Sequence, residues 1–305
     1  MTVAASAIER SGLPSQRAER QALVELLFAT GLWAFGFIAG RWVLEGPGPL
    51  WGNAIRYAMA TALSLPVLLW LAPRWAEWRR AWWQAMPAGL ALSAALMLQL
   101  TGLRYTSVAN SAFLTCLYVL FVPLLGPVFG VERTARRMWG CVALALVGSY
   151  VMAAPSEGAW NVGDLLTVLS ALCAAGQIHF IQRVAPRVQS AFLFNTAQSV
   201  WAGAPAAALA WLTAEPLHYP FPPIAWAGLA SLAIGATLIG FLVQLRVQKL
   251  LPVMLVSVLC LLESPLAAVM AYFIFRERLS SMQFAGAALI VVAAAWAMGA
   301  TRGRR

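Results

Sequence analysis

The sequence predicts an all-α polytopic membrane protein, with ten transmembrane helices arranged as two inverted five-helix repeats. Three observations lead to this fold class: the composition, the spacing of the apolar runs, and a pattern that occurs twice. Of the 305 residues, 61% are hydrophobic and 10% are charged, whereas a soluble domain carries about 25% charged residues. Such a chain cannot cover a water-facing surface, so we expect it to lie in a lipid bilayer.

Ten apolar runs approach the length of about twenty residues that a helix needs to cross the hydrocarbon core. The breaks between them carry proline, glycine or charge, as in EGPGP, GVERTARR and AEPLHYPFPP. The predicted spans, numbered 1 to 10, are 22–44, 48–72, 83–103, 107–129, 136–154, 162–183, 189–213, 223–246, 251–275 and 280–300. The chain is therefore divided into an N-terminal tail (1–21), a first repeat (22–154), a second repeat (162–300) and a basic tail (301–305).

The basic residues predict the orientation. Most of the 21 lysines and arginines fall in the N-terminal tail, in every second connection and in the C-terminal tail. Cytoplasmic segments of membrane proteins carry this excess, so both termini are expected in the cytoplasm, with the protein in the inner membrane. The same clustering between apolar runs explains the net charge of +10 without a nucleic-acid partner.

The internal repeat is seen in two stretches that begin at Gly102 and Arg246. Each has a tight polar link, an apolar span with a central proline, a Glu–Arg pair and a closing helix that contains glycine. Because each half has an odd number of spans, the second copy must enter the membrane upside down, as in many secondary transporters. Our alignment sets Tyr105 on Lys249, which puts Cys116 on Cys260, Val119 on Glu263 and, after a one-residue gap, Glu132 on Glu277.

These two segments and the first two spans contain a set of residues that matches a known family. These residues are Trp33, Arg56, Glu132-Arg133, Leu262-Glu263-Ser264-Pro265, Glu277-Arg278 and Gly286. Together they resemble the two EamA-type repeats of the drug/metabolite transporter superfamily, over nearly the whole chain after residue 22. The resemblance implies a ten-helix basket that moves small metabolites, often outward, with amino acids a frequent substrate class. The first half departs from the pattern: it has Leu117-Tyr118-Val119 where the second has Leu262-Glu263-Ser264, so only the second half has a mid-span carboxylate.

Glu263 is the first candidate for a binding residue. A charge at the bilayer centre costs roughly 2.5–3.5 kcal/mol on insertion scales, so such groups usually face a cavity. Pro265, two residues later, removes a backbone donor where lipid offers no replacement. Two interpretations remain open: a cavity-facing carboxylate that binds a substrate ammonium or exchanges a proton, and a structural carboxyl that bonds backbone freed by Pro265.

Further candidates are polar or aromatic side chains inside spans. His179 can shuttle protons or bond a neighbouring helix. Arg56 shares a helix face with Asn53, and this pair can receive a carboxylate. Alternatively, Arg56 can be tied internally to Glu45 or to the outer ends of other helices. The remaining substrate-binding candidates are Trp33, Phe37, Tyr118, Gln99, Asn110, Gln244 and Trp201.

The function predicted from these residues is secondary transport, in which a monomer exports small metabolites such as amino acids through a cavity between spans 1, 3, 4, 6, 8 and 9. No P-loop and no zinc-ligand spacing occur in the sequence, so we expect neither a cofactor nor a metal. Two alternatives remain. A lipid-linked sugar flippase would expose polar residues to lipid between helices, and a membrane-embedded enzyme would need a nucleophile, a base or metal ligands that converge.

Overall fold

The computed structural model describes residues 16–130, 135–153, 161–276 and 280–302, which form ten helical spans. Five spans are single helices in the order 1, 2, 3, 5 and 6: Gln16–Val43, Pro49–Leu71, Trp75–Gly102, Arg136–Ala153 and Val162–Val184. Spans 7 and 10 are also single helices, Ala191–Leu212 and Ser281–Arg302. Span 4 consists of the helices Val108–Thr115 and Tyr118–Leu125 and a 3-10 turn, Gly126–Phe129. Span 8 consists of Pro223–Ser231, the π-helical segment Leu232–Gly240 and Phe241–Gln248. Span 9 consists of the helices Val253–Cys260 and Glu263–Phe275.

Eight of the ten described spans are long and apolar enough to cross a membrane. Span 5 is shorter, with 18 residues that begin with two arginines, and span 7 carries the amides Asn195 and Gln198. Both nevertheless pack along full-length neighbours, span 5 on span 10 and span 7 on spans 2 and 3. The lower hydropathy of span 7 reflects amides that are buried between helices, whereas that of span 5 reflects Arg136 and Arg137, which are exposed at its start.

The packing of spans 4 and 9 shows that the two halves are inverted. The first helix of span 4, Val108–Thr115, packs on Glu263–Phe275, the second helix of span 9. The second helix of span 4, Tyr118–Leu125, packs on Val253–Cys260, the first helix of span 9. These equivalent spans of the two repeats therefore run in opposite directions, as the odd number of spans in each half predicts.

Spans 5 and 10 are antiparallel too, and glycine permits their close approach. A Cβ atom added to Gly148 would lie 2.8 Å from the carbonyl oxygen of Gly286. A Cβ atom added to Gly286 would in turn clash with the carbonyl oxygen of Gly148. Eight residues before Gly148, Gly140 packs against Trp296, ten residues after Gly286, so the two chains run in opposite directions.

The helix breaks correct the alignment of the two repeats. Span 4 is interrupted at residues 116–117 and span 9 at residues 261–262, so equivalent residues are 145 positions apart. Tyr118 and Glu263 each begin the helix after the break. Cys116 therefore corresponds to Leu261, and the predicted match of Cys116 with Cys260 is wrong by one residue. The corrected offset also places Glu132 on Glu277 without a gap; the predicted pairs Glu132-Arg133 and Glu277-Arg278 lie outside the described residues.

The break in span 9 also explains why Pro265 is tolerated. Pro265 is the third residue of the helix Glu263–Phe275, and first-turn positions are where a helix can best do without an N–H donor. The carbonyl of Leu261, which a proline four residues later cannot reach, accepts from the backbone N–H of Ser264 at 3.1 Å. The proline therefore leaves no carbonyl unsatisfied at the break.

Span 3 begins earlier than predicted. The predicted spans 48–72 and 83–103 leave residues 73–82 as a break, but the helix begins at Trp75 and only residues 72–74 are non-helical. The carboxylate of Glu77 accepts from the backbone N–H of Arg74 at 3.0 Å and so stabilises this start. Tryptophan and arginine suit a helix end at the membrane interface, which is why charge and aromatic residues there did not indicate a loop.

The spans define two faces of the bundle. We call the side on which span 1 begins the N-terminal face. Arg246, near the end of span 8, pairs there with Glu25 of span 1, with Nε and Oε2 3.1 Å apart. On the opposite face, Asp164 at the start of span 6 accepts from the amide of Asn110 in span 4 at 2.7 Å. Polar contacts thus join the two halves near both faces.

Candidate functional site

A cavity of about 120 Å³ lies in the middle of the bundle. One buried water needs roughly 10–15 Å³, so this space accommodates several waters or a small solute. Its wall comes from spans 1, 2, 3, 4, 6, 8 and 9, which are the six predicted spans together with span 2. The polar side chains of the wall are Arg56, Gln99, Thr115, Tyr118, Ser170, Gln177, Gln244 and Glu263.

Glu263 lies at the break of span 9 and faces this cavity. Glu263 is the first residue of the helix Glu263–Phe275. At this end of a helix the positive end of the helix dipole favours a negative charge. The residue is 9% exposed, and its carboxylate has no hydrogen bond to another described residue. A structural carboxyl would be bonded to backbone near Pro265. The structure instead leaves this carboxylate available to whatever fills the cavity.

Arg56 brings a positive charge to the same cavity from span 2. Its Nη2 and Nε both donate to the hydroxyl of Thr237 in span 8, at 2.9 and 3.3 Å. The guanidinium carbon also lies 5.0 Å from the centroid of the Tyr57 ring. Glu45 is not within ion-pair distance, so within the described ranges the partner of Arg56 is a neutral hydroxyl.

Asn53, one turn before Arg56, has a different task. Its amide donates to the carbonyl of Pro49 at 2.9 Å and to that of Leu96 in span 3 at 3.1 Å. The amide therefore ties span 2 to span 3 and is not free to receive a carboxylate together with Arg56.

Three glutamine amides contribute to the wall. Gln177 of span 6 and Gln244 of span 8 exchange two hydrogen bonds, each 3.2 Å long. Gln99 lies 145 residues before Gln244 and is its equivalent in span 3, but it donates to the hydroxyl of Thr115 at 3.2 Å. The two equivalent amides thus have different partners: one closes the space between spans 6 and 8, and the other stays within spans 3 and 4.

Aromatic residues form the apolar part of the wall, where Trp33, Phe37, Tyr118 and Phe241 are found. The indole N–H of Trp33 donates to the carbonyl of Ala236 at 3.2 Å, which supplies the partner that a mid-span indole needs. A Cβ atom on Gly240 would lie 2.6 Å from this indole nitrogen. The π-helical segment of span 8 therefore accepts the indole hydrogen bond at Ala236, and the absence of a side chain at Gly240 leaves room for the indole ring.

Three of the predicted site residues lie outside the wall of the cavity. The Nε2 atom of His179 is 2.6 Å from the carbonyl oxygen of Val122, and its ring stacks on Phe129. The amide of Asn110 bonds to Asp164. Trp201 donates to the carbonyl of Trp82 at 3.0 Å. Each of these side chains joins neighbouring helices.

Sequence reasoning overlooked part of one helix face. Ser170, Ala174, Gln177 and Ile178 of span 6 line the cavity with the i, i+4, i+7, i+8 spacing of a single face. Two small residues before a glutamine at this spacing were the available signal. Gln177 does not share a face with the candidate His179, and His179 itself contacts Val122 and lies outside the cavity wall.

The described residues contain no group of side chains suited to hold a metal ion. Across residues 16–130, 135–153, 161–276 and 280–302, no three histidine, cysteine, aspartate or glutamate side chains converge to hold a metal ion. The chemistry of the described cavity wall is therefore that of one carboxylate, one guanidinium, one thiol (Cys260), neutral amides and hydroxyls, and aromatic rings.

Comparisons with known proteins agree with this architecture. The model of the EamA-like transporter family matches residues 22–154 and again residues 161–299. An uncharacterized transporter of Archaeoglobus fulgidus is 25% identical over 264 residues, which are 86% of this chain and 80% of that protein. A protein of known crystal structure superimposes with a TM-score of 0.76 at 20% identity, over 94% of this chain and 99% of that one. That likeness shows a shared fold.

Ten helical spans in two inverted halves, with a polar cavity where the halves meet, define a membrane transporter. More closely, the chain belongs to the EamA-like transporter family of the drug/metabolite transporter superfamily, and it carries two EamA domains.

Proposed function

We propose that this protein is a secondary transporter that exports small metabolites such as amino acids across the cytoplasmic membrane by alternating access. One observation carries the proposal: the unpaired carboxylate of Glu263 faces a cavity that both inverted halves enclose. The distribution of basic residues supports an orientation with both termini in the cytoplasm. Both halves of the cavity wall come from one chain, which supports a functional monomer.

The cavity is separated from the N-terminal face by contacts at the end of span 8. Gln244 pairs with Gln177, and Gln248 donates to the carbonyl of Ile178 at 2.9 Å. Lys249 donates to the carbonyl of Val188 at 2.8 Å. Toward the opposite face, the wall continues to Gly40, Leu100 and Leu103. We therefore interpret this conformation as closed toward the cytoplasm, and opening there requires span 8 to leave span 6.

Glu263 has two roles that fit this cycle: it binds a positively charged group of the substrate, or it exchanges a proton as the cavity changes sides. Both roles need an ionisable group with no fixed partner, which is how Glu263 is placed. They differ in whether protons cross the membrane with the substrate.

The two alternative functions are less well supported. A lipid-linked sugar flippase would present polar groups to lipid through a lateral groove, yet Glu263, Arg56 and Gln244 are 9%, 4% and 4% exposed and face the interior. A membrane-embedded enzyme would need a nucleophile in reach of a base. In the described wall of the cavity there is no histidine, and the carboxylate of Glu263 bonds to no serine or cysteine.

Transport in liposomes tests the proposal. The purified protein would be reconstituted into liposomes loaded with a mixture of unlabelled amino acids, and the entry of each labelled amino acid would be followed by counterflow. We expect saturable uptake of at least one amino acid, well above that of protein-free liposomes. A pH-sensitive dye inside the liposomes would report whether protons move with it.

Glu25→Gln is a suitable control, because Glu25 is ionisable but lies at the N-terminal face and not in the cavity. Uptake should survive this substitution and fall by at least about tenfold in Glu263→Gln. If folded protein moves no amino acid or other small metabolite, the proposed function is wrong.

A further inference from the structure

We propose that Arg56 forms a carboxylate-binding subsite, so that the transported solutes must carry a carboxylate. This inference rests on the proposed transport function and narrows its substrate class. Arg56 belongs to the first half of the chain and Glu263 to the second. A solute that spans the cavity would therefore be held by one charge from each half.

The hydrogen bonding of Arg56 is incomplete. A guanidinium has five N–H donors, and the two bonds of Arg56 end on the single hydroxyl of Thr237. Its Nη1 donates to none of the described residues and, unlike the hydroxyl of Tyr118, is not sealed from the cavity. Arginine stays ionised when buried, so this side chain presents a permanent positive charge with free donors.

The two ionisable groups of the cavity also do not pair with each other. No carboxylate of the described residues lies within 4 Å of the Arg56 guanidinium, and no cation of those residues lies within that distance of Glu263; Arg246 and Glu25 form an ion pair outside the cavity. Ionisable groups inside a membrane usually pair with each other or with backbone carbonyls. A solute that carries both an ammonium and a carboxylate matches a carboxyl and a guanidinium left unpaired on one cavity.

Thr237 places the guanidinium for this purpose. It belongs to the π-helical segment Leu232–Gly240 of span 8, and π-helical turns are frequent at functional sites. With Nε and Nη2 bonded to Thr237, Nη1 keeps its N–H donors free at the cavity wall, and the planar N–H groups of a guanidinium match the two oxygens of a carboxylate. Because the tie joins span 2 to span 8, the guanidinium that would bind the anion is held by both halves.

The test compares solutes that differ by one charged group. Apolar amino acids such as leucine, methionine and valine would each be compared with the amine that lacks the carboxylate and with the acid that lacks the amine. Binding to the purified protein would be measured by thermal stabilisation, which rises with ligand occupancy. Loss of a hydrogen-bonded charge should weaken binding about ten- to hundredfold, so each amine should bind at least tenfold more weakly than its amino acid.

Variants separate the two ends of the solute. Arg56→Gln should weaken the binding of the amino acids and of the acids but leave the binding of the amines unchanged. Arg56→Lys should retain part of the difference in affinity between each amino acid and its amine. The matched control is Gln198→Leu: Gln198 is the eighth residue of span 7, as Arg56 is of span 2, and it does not line the cavity. This control should discriminate as the wild type does.

The outcomes are distinguishable. If no amino acid or other small metabolite binds or is transported, the proposed function fails. If amino acids are transported and the amines bind as tightly, the carboxylate subsite is wrong, and the wild-type protein alone decides this even where Arg56→Gln does not fold. If replacing chloride by a bulky organic sulfonate changes binding of the amines but not of the amino acids, Arg56 holds an inorganic anion, which also overturns the proposal.

Discussion

Spans 4 and 9 show the same backbone used for two different purposes. Both are interrupted at equivalent points, and the first residue of the helix that follows is Tyr118 in span 4 and Glu263 in span 9. Both residues line the cavity, but the hydroxyl of Tyr118 is neutral and lies beside the Cys260 thiol, with no nitrogen or oxygen partner, whereas Glu263 carries a carboxyl group. The repeated halves therefore share the shape of the break and differ in its charge.

Spans 2 and 7 show the converse. The fifth residues, Asn53 and Asn195, both donate to carbonyls of a neighbouring span, but the eighth residues are Arg56 and Gln198, and only Arg56 lines the cavity. Each half thus contributes one charge, at positions that are not equivalent. Amides at equivalent positions support the scaffold, and unpaired charges distinguish the two halves.

The largest expected effect separates Glu263 from Tyr118. Glu263→Gln should reduce transport about ten- to hundredfold, the loss expected when a charged hydrogen-bond partner becomes neutral. Tyr118→Phe, the equivalent change in span 4, should reduce it less than about threefold, because its neutral hydroxyl has no nitrogen or oxygen partner and loses only a contact with the Cys260 thiol, a weak hydrogen-bond partner. Initial uptake rates in liposomes, normalised to folded protein, would measure both. Equal losses of transport would show that the break itself matters and its charge does not.

The next effect concerns the amides Gln244 and Gln99. Gln244→Leu removes both hydrogen bonds to Gln177, and at about 0.6 kcal/mol for each intramembrane bond the closed conformation should be favoured roughly eightfold less. Gln99→Leu leaves this pair intact and should not open the N-terminal face. Cys260 lines the cavity, so its labelling by a membrane-impermeant thiol reagent from the N-terminal face reports the opening.

Both glutamine variants would be made in a background in which Cys116, Cys141 and Cys173 are replaced by alanine. Cys260 is then the thiol that remains to be labelled. Faster labelling in both glutamine variants, or in neither, would show that the Gln177–Gln244 pair does not hold the cavity closed.

A smaller effect should be the same in both halves. Asn53→Ala and Asn195→Ala each remove an amide that donates two hydrogen bonds to carbonyls. Each should lower the free energy of unfolding by about 1 kcal/mol, and the two values should agree within about 0.5 kcal/mol if the positions are equivalent. Unfolding in mixed detergent, monitored by circular dichroism, provides both numbers. A large difference would indicate that the amides do not have equivalent structural roles.

The smallest effect is expected at the N-terminal face. Arg246→Gln breaks the pair with Glu25, in which the arginine side chain is 57% exposed, and exposed ion pairs contribute about 0–1 kcal/mol. The melting temperature should hardly move. A marked loss of stability would show that this pair helps to fasten span 8 to span 1, which the exposed geometry does not suggest.

The spans and their inversion could be predicted because composition and an odd number of apolar runs determine them. The residues of the break, Glu263 and Tyr118, could be found because a charge and a proline stand out in an apolar run. The partner of His179 could not be found, because it is a backbone carbonyl on another span and leaves no trace in the pattern of side chains. Gln177 was missed for a related reason: the face of span 6 that meets the cavity depends on helix packing.

One contact joins the helix breaks of spans 4 and 9. The thiol of Cys116 lies 3.9 Å from the carbonyl oxygen of Leu261, and these two residues occupy the same position in the two repeats. Equivalent residues that touch each other lie close to the pseudo-symmetry axis that relates the two halves. If one half rotates against the other about this contact, the ends of spans 4 and 9 move furthest and the breaks at their centres hardly move.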